Sequence, residues 1–201
     1  DAVISFHAGA VAGLMGKLRR LGVRTAISLH LSDRTAFDRP VGNTYLGLAF
    51  EHAYDLFIPC SHQLADWCNA MGVPRDKIVA VQNAPGFDLP PAHAEAAYAD
   101  REARQPGEAL RVLYIGRLDR QKGIDRLAEA MQESKARRLN LTWRVVGKTV
   151  VDEGQAPVAS DIAAVLEPPL LTPAELARAY DWADVMVLLS HYEGLPLTVL
   201  E

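Results

Sequence analysis

Several things are scarce in this sequence, and each scarcity excludes a class of protein. The 201 residues hold two cysteines, Cys60 and Cys68. That is too few for a disulfide framework, and the pair is not spaced C-x-x-C. They read as free thiols of a reducing compartment, with a Cys60–Cys68 bridge as the weaker alternative. No apolar run approaches the roughly 18 to 20 residues a bilayer span needs. Basic residues are not in excess: 21 Lys and Arg face 25 Asp and Glu, for a net charge of −4. That balance disfavours a general nucleic-acid binder. Short-period repeats and low-complexity tracts are absent. His52 and His62 lie near the two cysteines, but their spacing matches no structural zinc pattern, and no metal site is expected. The run GAVAGLMGK (9–17) fails as a phosphate loop, because Val11 stands where a glycine is required and Leu18 replaces Ser or Thr.

What is present is ordinary soluble-globular composition, 49% apolar and 23% charged, which excludes a mainly disordered chain. The first residue is Asp1 rather than Met, and DAVISF reads as the inside of a strand. The last, Glu201, falls in an apolar-patterned run. The expectation is a piece of a longer protein, so no leader peptide can be read.

Short β-branched runs alternate with helix-period stretches, which predicts parallel sheets covered by helices. Strands are expected at Ala2–Phe6, Thr25–His30, Leu56–Pro59, Ile78–Val81, Arg111–Ile115, Leu141–Val146 and Val185–Leu189. Val11, Leu14, Met15, Leu18 and Leu21 share one helix face that stops at Gly22. Residues 31–42 read as a loop and Asn43–Tyr54 as helical. Ser61 caps a helix carrying Leu64, Trp67 and Cys68. Ile124, Leu127, Ala128 and Met131 mark a further helix, and Thr172-Pro173-Ala174-Glu175 is a capping box. Pro85, Pro90, Pro91 and Pro106 interrupt the pattern over 84–108, with one short helix expected at 92–104. The division that follows is a first domain over 1–90, a linker over 91–108 and a second domain over 109–201.

Two segments carry chemistry. In VLYIGRLDRQKGIDRLAEAM (112–131) a strand ends at Gly116, a charged turn follows, and a helix begins near Gly123. Such a turn brings amide N–H groups to the mouth of a parallel sheet. Arg117 and Lys122 on that turn suit a diphosphate, Arg through its fork and Lys as a point charge; a solvated basic turn is the equal alternative. In SHYEGLPLTVLE (190–201) two carboxylates, Glu193 and Glu201, stand eight residues apart, and carboxylates accept hydrogen bonds from vicinal hydroxyls. Taken alone, that segment reads better as a helix-capping acid plus a surface Glu.

Together GRLDRQKG and EGLPLTVLE resemble the donor-binding domain of the retaining glycosyltransferases of the GT-B fold (family-4 type, glycosyl transferases group 1). Glu193 and Glu201 match that family's E-x7-E motif. SHQLADWCNAMGVPRDKIVAVQNAPGFD resembles the stretch closing its N-terminal domain, and His30 falls where the family keeps a His after a strand. The resemblance implies two Rossmann-like α/β domains facing a cleft, here both truncated, and transfer of a sugar from a UDP- or GDP-linked donor with retained configuration. It implies that Arg117 and Lys122 hold the diphosphate alongside Gly116 and the backbone of Gly194 and Leu195, that Glu201 binds the ribose, and that Glu193 and His30 address the sugar. No cofactor is implied beyond the nucleotide-sugar substrate. The acceptor would be a saccharide, a lipid or a small molecule, and the setting cytoplasmic. Basic clusters at Lys17, Arg19, Arg20 and Arg24 and at Lys135, Arg137 and Arg138 are solvated faces by default, with weak contact to an anionic inner membrane face as the alternative. One departure stands out: the family's N-G-x-D is replaced by Asn83-Ala84-Pro85-Gly86-Phe87-Asp88. The chain alone is expected to be inactive. The rivals are a non-catalytic nucleotide-binding module of the same fold, and another GT-B enzyme such as a sugar-nucleotide epimerase or a phosphorylase.

Overall fold

The computed structural model describes residues 1–6, 8–31, 43–86, 91–149, 158–170 and 172–201. His7, Phe87, Asp88 and most of the expected 31–42 loop lie outside them. The chain divides into two compact units, Asp1–Ala84 with Tyr192–Leu200, and Pro85–His191 with Glu201.

In unit 1, β1 (Ala2–Ser5), β2 (Arg24–Leu29) and β3 (Leu56–Pro59) form a parallel sheet in the order β1-β2-β3. Helix α1 (Ala8–Arg20) connects β1 to β2, and α2 (Asn43–Ala49) with a 3-10 turn at Glu51–Ala53 precedes β3. The expected single helix over Asn43–Tyr54 is therefore broken near Phe50. Ser61 caps α3 (His62–Ala70) by accepting a hydrogen bond from the Leu64 amide. Ile27, Leu29, Tyr54, Phe57, Met15, Leu64 and Cys68 fill the core. Both cysteines are free and buried, and burial pushes the Cys68 thiol up to about 11. The expected strand Ile78–Val81 is reduced to one parallel bridge from Ile78 to Phe57. It lies at the sheet edge with Val79 and Val81 exposed, so it has pairing partners on one side only.

Unit 2 opens with α4 (Pro91–Glu102), close to the helix expected at 92–104, and carries a four-stranded parallel sheet. Its strands are β4 (Leu110–Ile115), β5 (Leu141–Val146), β6 (Leu166–Glu167) and β7 (Val185–Met186), in the order β6-β5-β4-β7. Helices α5 (Ile124–Ala136), α6 (Ser160–Ala163) and α7 (Pro173–Trp182) cover it. The strand alternation sorts the core into two faces. Tyr114 and Val145 pack with Leu127, Met131 and Ile162 on one face, while Leu113 and Val146 pack with Ala179 and Ala183 on the other. Buried on both faces, β4 reads as an almost unbroken apolar run, as parallel strands do. The strand expected over Val185–Leu189 pairs in full only at Val185 and Met186, and the Val187 amide adds one hydrogen bond to the Leu113 carbonyl at 2.9 Å. The short elements β6 and α6 were not expected.

One device recurs in both units. Asp55 precedes β3 and Asp184 precedes β7, and each carboxylate accepts the amide of a residue at the start of the neighbouring strand: Thr25 at 2.9 Å and Arg111 at 2.7 Å. The Asp amides donate back to the carbonyls of the same two residues, at 2.8 and 2.9 Å. Asp55 is paired with Arg19 and Arg24, and Asp184 with Arg104. The Thr25 amide and the arginines hold the Asp55 carboxyl below the usual range. Arg104 and the Arg111 amide do the same for Asp184.

A depressed folded-state pKa means that the stabilisation is present above the unfolded carboxylate's pKa of about 4 and is lost as pH falls through the folded value. Asp184→Asn is therefore expected to lower stability at pH 7 by about 1–3 kcal/mol, with the gap to the parent closing as pH falls toward about 3. Urea unfolding at a series of pH values measures this. A gap that stayed constant with pH would contradict the ionic origin.

Candidate functional site

In open parallel sheets, ligands bind where the strand order reverses, outside the carboxyl ends of the strands. In unit 2 the chain proceeds outward from β4 to β5 to β6 and then returns to place β7 on the other side of β4. The reversal lies between β4 and β7. Among the described residues of unit 1, the order β1-β2-β3 shows no such reversal.

Residues 116–123 connect β4 to α5 at this point, and their shape is set by buried groups. The Tyr114 side chain is 1% exposed, and its hydroxyl lies 2.9 Å from the Arg117 carbonyl and 3.2 Å from the Lys122 carbonyl. Asp119, 7% exposed, accepts the Lys122 amide at 2.9 Å and the Arg117 Nε at 2.9 Å. The Gln121 side-chain oxygen accepts from the same guanidinium. Arg117 and Lys122 are thus fixed on one turn by two residues, Tyr114 and Asp119, that the sequence did not single out. Nothing but proximity to the motif could have flagged Asp119, and an aromatic in a strand reads as core. A guanidinium carries five N–H donors, so Asp119 and Gln121 can hold two while others serve an oxyanion.

The turn is knit to the segment that follows β7. The His191 amide donates to the Gln121 carbonyl at 2.8 Å, and Arg126 donates to the Leu189 and Ser190 carbonyls at 3.2 and 3.0 Å. The His191 ring meets the Asp125 carboxylate at 2.9 Å. Burial opposes the charge on Asp125, yet this ring and the Asp125 and Arg126 amides hold its carboxyl below the usual range. Gly123 has φ +75°, and a Cβ there would lie 2.0 Å from the Leu189 carbonyl oxygen. Gly116 sits at the end of β4, its amide bonded to the Val146 carbonyl at 3.1 Å; its carbonyl oxygen would lie 2.0 Å from a Cβ on Gly147.

Of the candidate residues, Gly116, Arg117, Lys122 and Glu201 belong to unit 2, and His30, Glu193, Gly194 and Leu195 group with unit 1. Within unit 1 the structure brings Gly194 onto the backbone of His30. A Cβ on Gly194 would lie 1.9 Å from the His30 carbonyl oxygen and 2.9 Å from the Cys60 sulfur. The Leu195 side chain packs against the unit 1 core, and its carbonyl accepts from Asn83 Nδ2 at 3.2 Å. The His30 ring bonds Ser28 through Nε2 at 2.9 Å and stacks on Phe6. In unit 2, Glu201 lies about one turn past the first residue of α8 (Leu197–Leu200); it accepts from the Tyr180 hydroxyl at 2.8 Å.

Other features do not bear on this geometry. A depression of about 470 Å³ between α5, β5 and α6 is lined by Met131, Ser134, Lys135 and Trp143, and none of the candidate residues lines it. In the basic clusters, Arg19 and Arg24 pair with Asp55, Lys135 with Asp161 and Arg137 with Glu133, the behaviour of solvated faces. Among the described residues no helix is long and apolar enough to cross a membrane.

The close approach at Gly123 makes a prediction. Gly123→Ala must shed a backbone clash as well as left-handed strain of about 1–2 kcal/mol, so a loss above about 2 kcal/mol is expected. Gly16→Ala in α1, where a Cβ meets nothing within 4 Å, is expected to stabilise by about 0.4–1 kcal/mol. Thermal unfolding of the two variants checks this, and equal effects would contradict the packing described.

Residues 109–201 match the glycosyl transferases group 1 family. WcaL of Salmonella typhimurium, assigned to colanic acid biosynthesis as a glycosyltransferase, is 26% identical over 97% of this chain, which spans 49% of WcaL. Among solved structures, the pneumococcal O-GlcNAc transferase GtfA, in complex with UDP and GlcNAc, is similar with a TM-score of 0.65 at 20% identity, covering 99% of this chain and 39% of that one. TarM of S. aureus gives 0.66 at 14% identity over 98% of this chain and 38% of that one. Anabaena HepE, in complex with UDP and glucose, gives 0.62 at 15% identity over 94% and 52%. At these identities the structural likeness shows the fold alone, parallel-sheet α/β units of the GT-B type. The chain thus spans about half the length of the curated relative it matches, and its residues 109–201 are similar to the group 1 glycosyl transferases.

Proposed function

We propose that the protein to which this chain belongs transfers a sugar from a nucleoside-diphosphate-sugar donor to an acceptor with retained anomeric configuration. The observation that carries the reading is the knitting of the Arg117–Lys122 turn to the segment after β7, at the point where the unit 2 sheet reverses its order. The family match over the same residues supports it.

The diphosphate binds at the 116–123 turn. Arg117 and Lys122 neutralise it and stabilise the charge that grows as the bond to the sugar breaks, which is where preorganised cations help most. Because Tyr114 and Asp119 fix the turn before any ligand arrives, little reorganisation opposes that step. Glu201 accepts hydrogen bonds from the ribose hydroxyls. The leaving phosphate oxygen takes the proton of the attacking acceptor hydroxyl, so the reaction needs no separate base. UDP stands in the complexes of GtfA and HepE, which supports a uridine donor over a guanosine one. The acceptor is a saccharide, a reading supported by the sugars that stand beside UDP in those complexes.

Calorimetric titration of the full-length protein with UDP and with GDP tests this, alongside an Arg117→Ala, Lys122→Ala double variant. Binding of one nucleotide in the parent, weakened at least about a hundredfold in the double variant, is expected from the loss of two charge-assisted contacts. Unchanged binding in the double variant would place the diphosphate elsewhere.

A further inference from the structure

We infer that Tyr180 is a positioning residue: its hydroxyl, hydrogen-bonded to Glu201, sets the carboxylate that reads the ribose hydroxyls of the donor nucleotide. The inference rests on the donor reading above and concerns a residue to which that reading gives no role.

The Tyr180 ring is anchored from several directions. It lies near the C-terminal end of α7, a helix whose start is fixed by the Thr172–Glu175 capping box with Pro173 in its first turn. The ring packs against the cluster that Leu113 and Val146 of the sheet form with Ala179 and Ala183 at the end of α7. The helix end is held in turn by Arg101 of α4, which donates to the carbonyls of Tyr180 and Ala183 at 3.3 and 3.1 Å. The ring is therefore a rigid post, and its one polar atom reaches Glu201 Oε2 at 2.8 Å.

A Glu side chain on a surface samples many rotamers and loses that freedom when it binds a ligand. A phenol held by a packed ring fixes the carboxylate beforehand. Burial and the neighbouring carboxylate both push the Tyr180 phenol upward, so it stays protonated and remains a donor at neutral pH. A carboxylate has about four acceptor positions. The phenol takes one and leaves the others for a pair of vicinal hydroxyls. Phenylalanine would keep the ring and its packing and remove only the donor.

The test uses the full-length protein with UDP and 2′,3′-dideoxy-UDP, measured by calorimetry, with the guanosine pair substituted if GDP is the nucleotide bound. The parent is expected to prefer the ribonucleotide by about tenfold or more, from hydrogen bonds to a charged acceptor. Tyr180→Phe should weaken the ribonucleotide by about three- to tenfold and leave the dideoxy nucleotide unchanged, so the preference shrinks. Glu201→Gln should shrink it too, and adding Tyr180→Phe to Glu201→Gln should change nothing further. Equal loss for both nucleotides in Tyr180→Phe would assign the residue to packing and overturn the inference, as would an undiminished ribose preference. A parent that binds UDP but ignores the ribose hydroxyls would remove the role of Glu201, and with it that of Tyr180, while leaving the diphosphate site standing. A parent that binds neither nucleotide would overturn the donor reading itself.

Discussion

The parallel pairing of β4 with β7 is the constraint on which the candidate site depends. Only Val112 and Leu113 pair with Val185 and Met186, yet those rungs bring two segments some seventy positions apart in sequence to one sheet edge. Because β7 lies on the opposite side of β4 from β5, the helices that follow neighbouring strands diverge there and leave the carboxyl ends uncovered. Were β7 placed beyond β6 instead, Arg117 and Lys122 would sit on an ordinary solvated turn.

The two ends of each sheet do different work. At the amino ends of β3 and β7, Asp55 and Asp184 lock the register by accepting a neighbouring strand's amide while an arginine holds their charge. A one-residue slip would turn every core side chain to the wrong face, so a clamp at this end protects both faces of the unit 2 core at once. Among the described residues, the carboxyl ends of β4 and β7 carry no such clamp. Their geometry comes instead from turns built around Gly123, which tolerates the positive φ, and from Tyr114 and Asp119.

The fold was legible in the sequence because parallel strands buried on both faces write themselves as apolar β-branched runs, as VLYI and LTWRVV do. The Arg117 and Lys122 turn was legible because a strand, a glycine, two cations and a helix start follow one another within a dozen residues. What could not be read is whatever depends on contacts distant in sequence. Asn83 reaches the Leu195 carbonyl across 112 residues, and nothing in either segment announces the other. Tyr180 looks like one more apolar position of α7 until Glu201 is found beside its hydroxyl. Asp184 reads as a loop acid until the Arg111 amide is seen to need it. The grouping of Tyr192–Leu200 with unit 1 was equally hidden, since the pattern of 185–201 suggests one continuous strand, loop and helix. Short elements such as β6 and α6, of two and four residues, carry too little periodicity to be seen.

The central claim is that the edge between β4 and β7 receives a nucleoside diphosphate. Backbone amide chemical shifts of the isotopically labelled protein, followed as UDP or GDP is added, test it most directly. The account predicts the largest shifts in residues 116–126 and 187–191 and at Glu201. Shifts centred instead on the depression around Met131, Ser134 and Trp143, with the 116–126 turn unmoved, would contradict it.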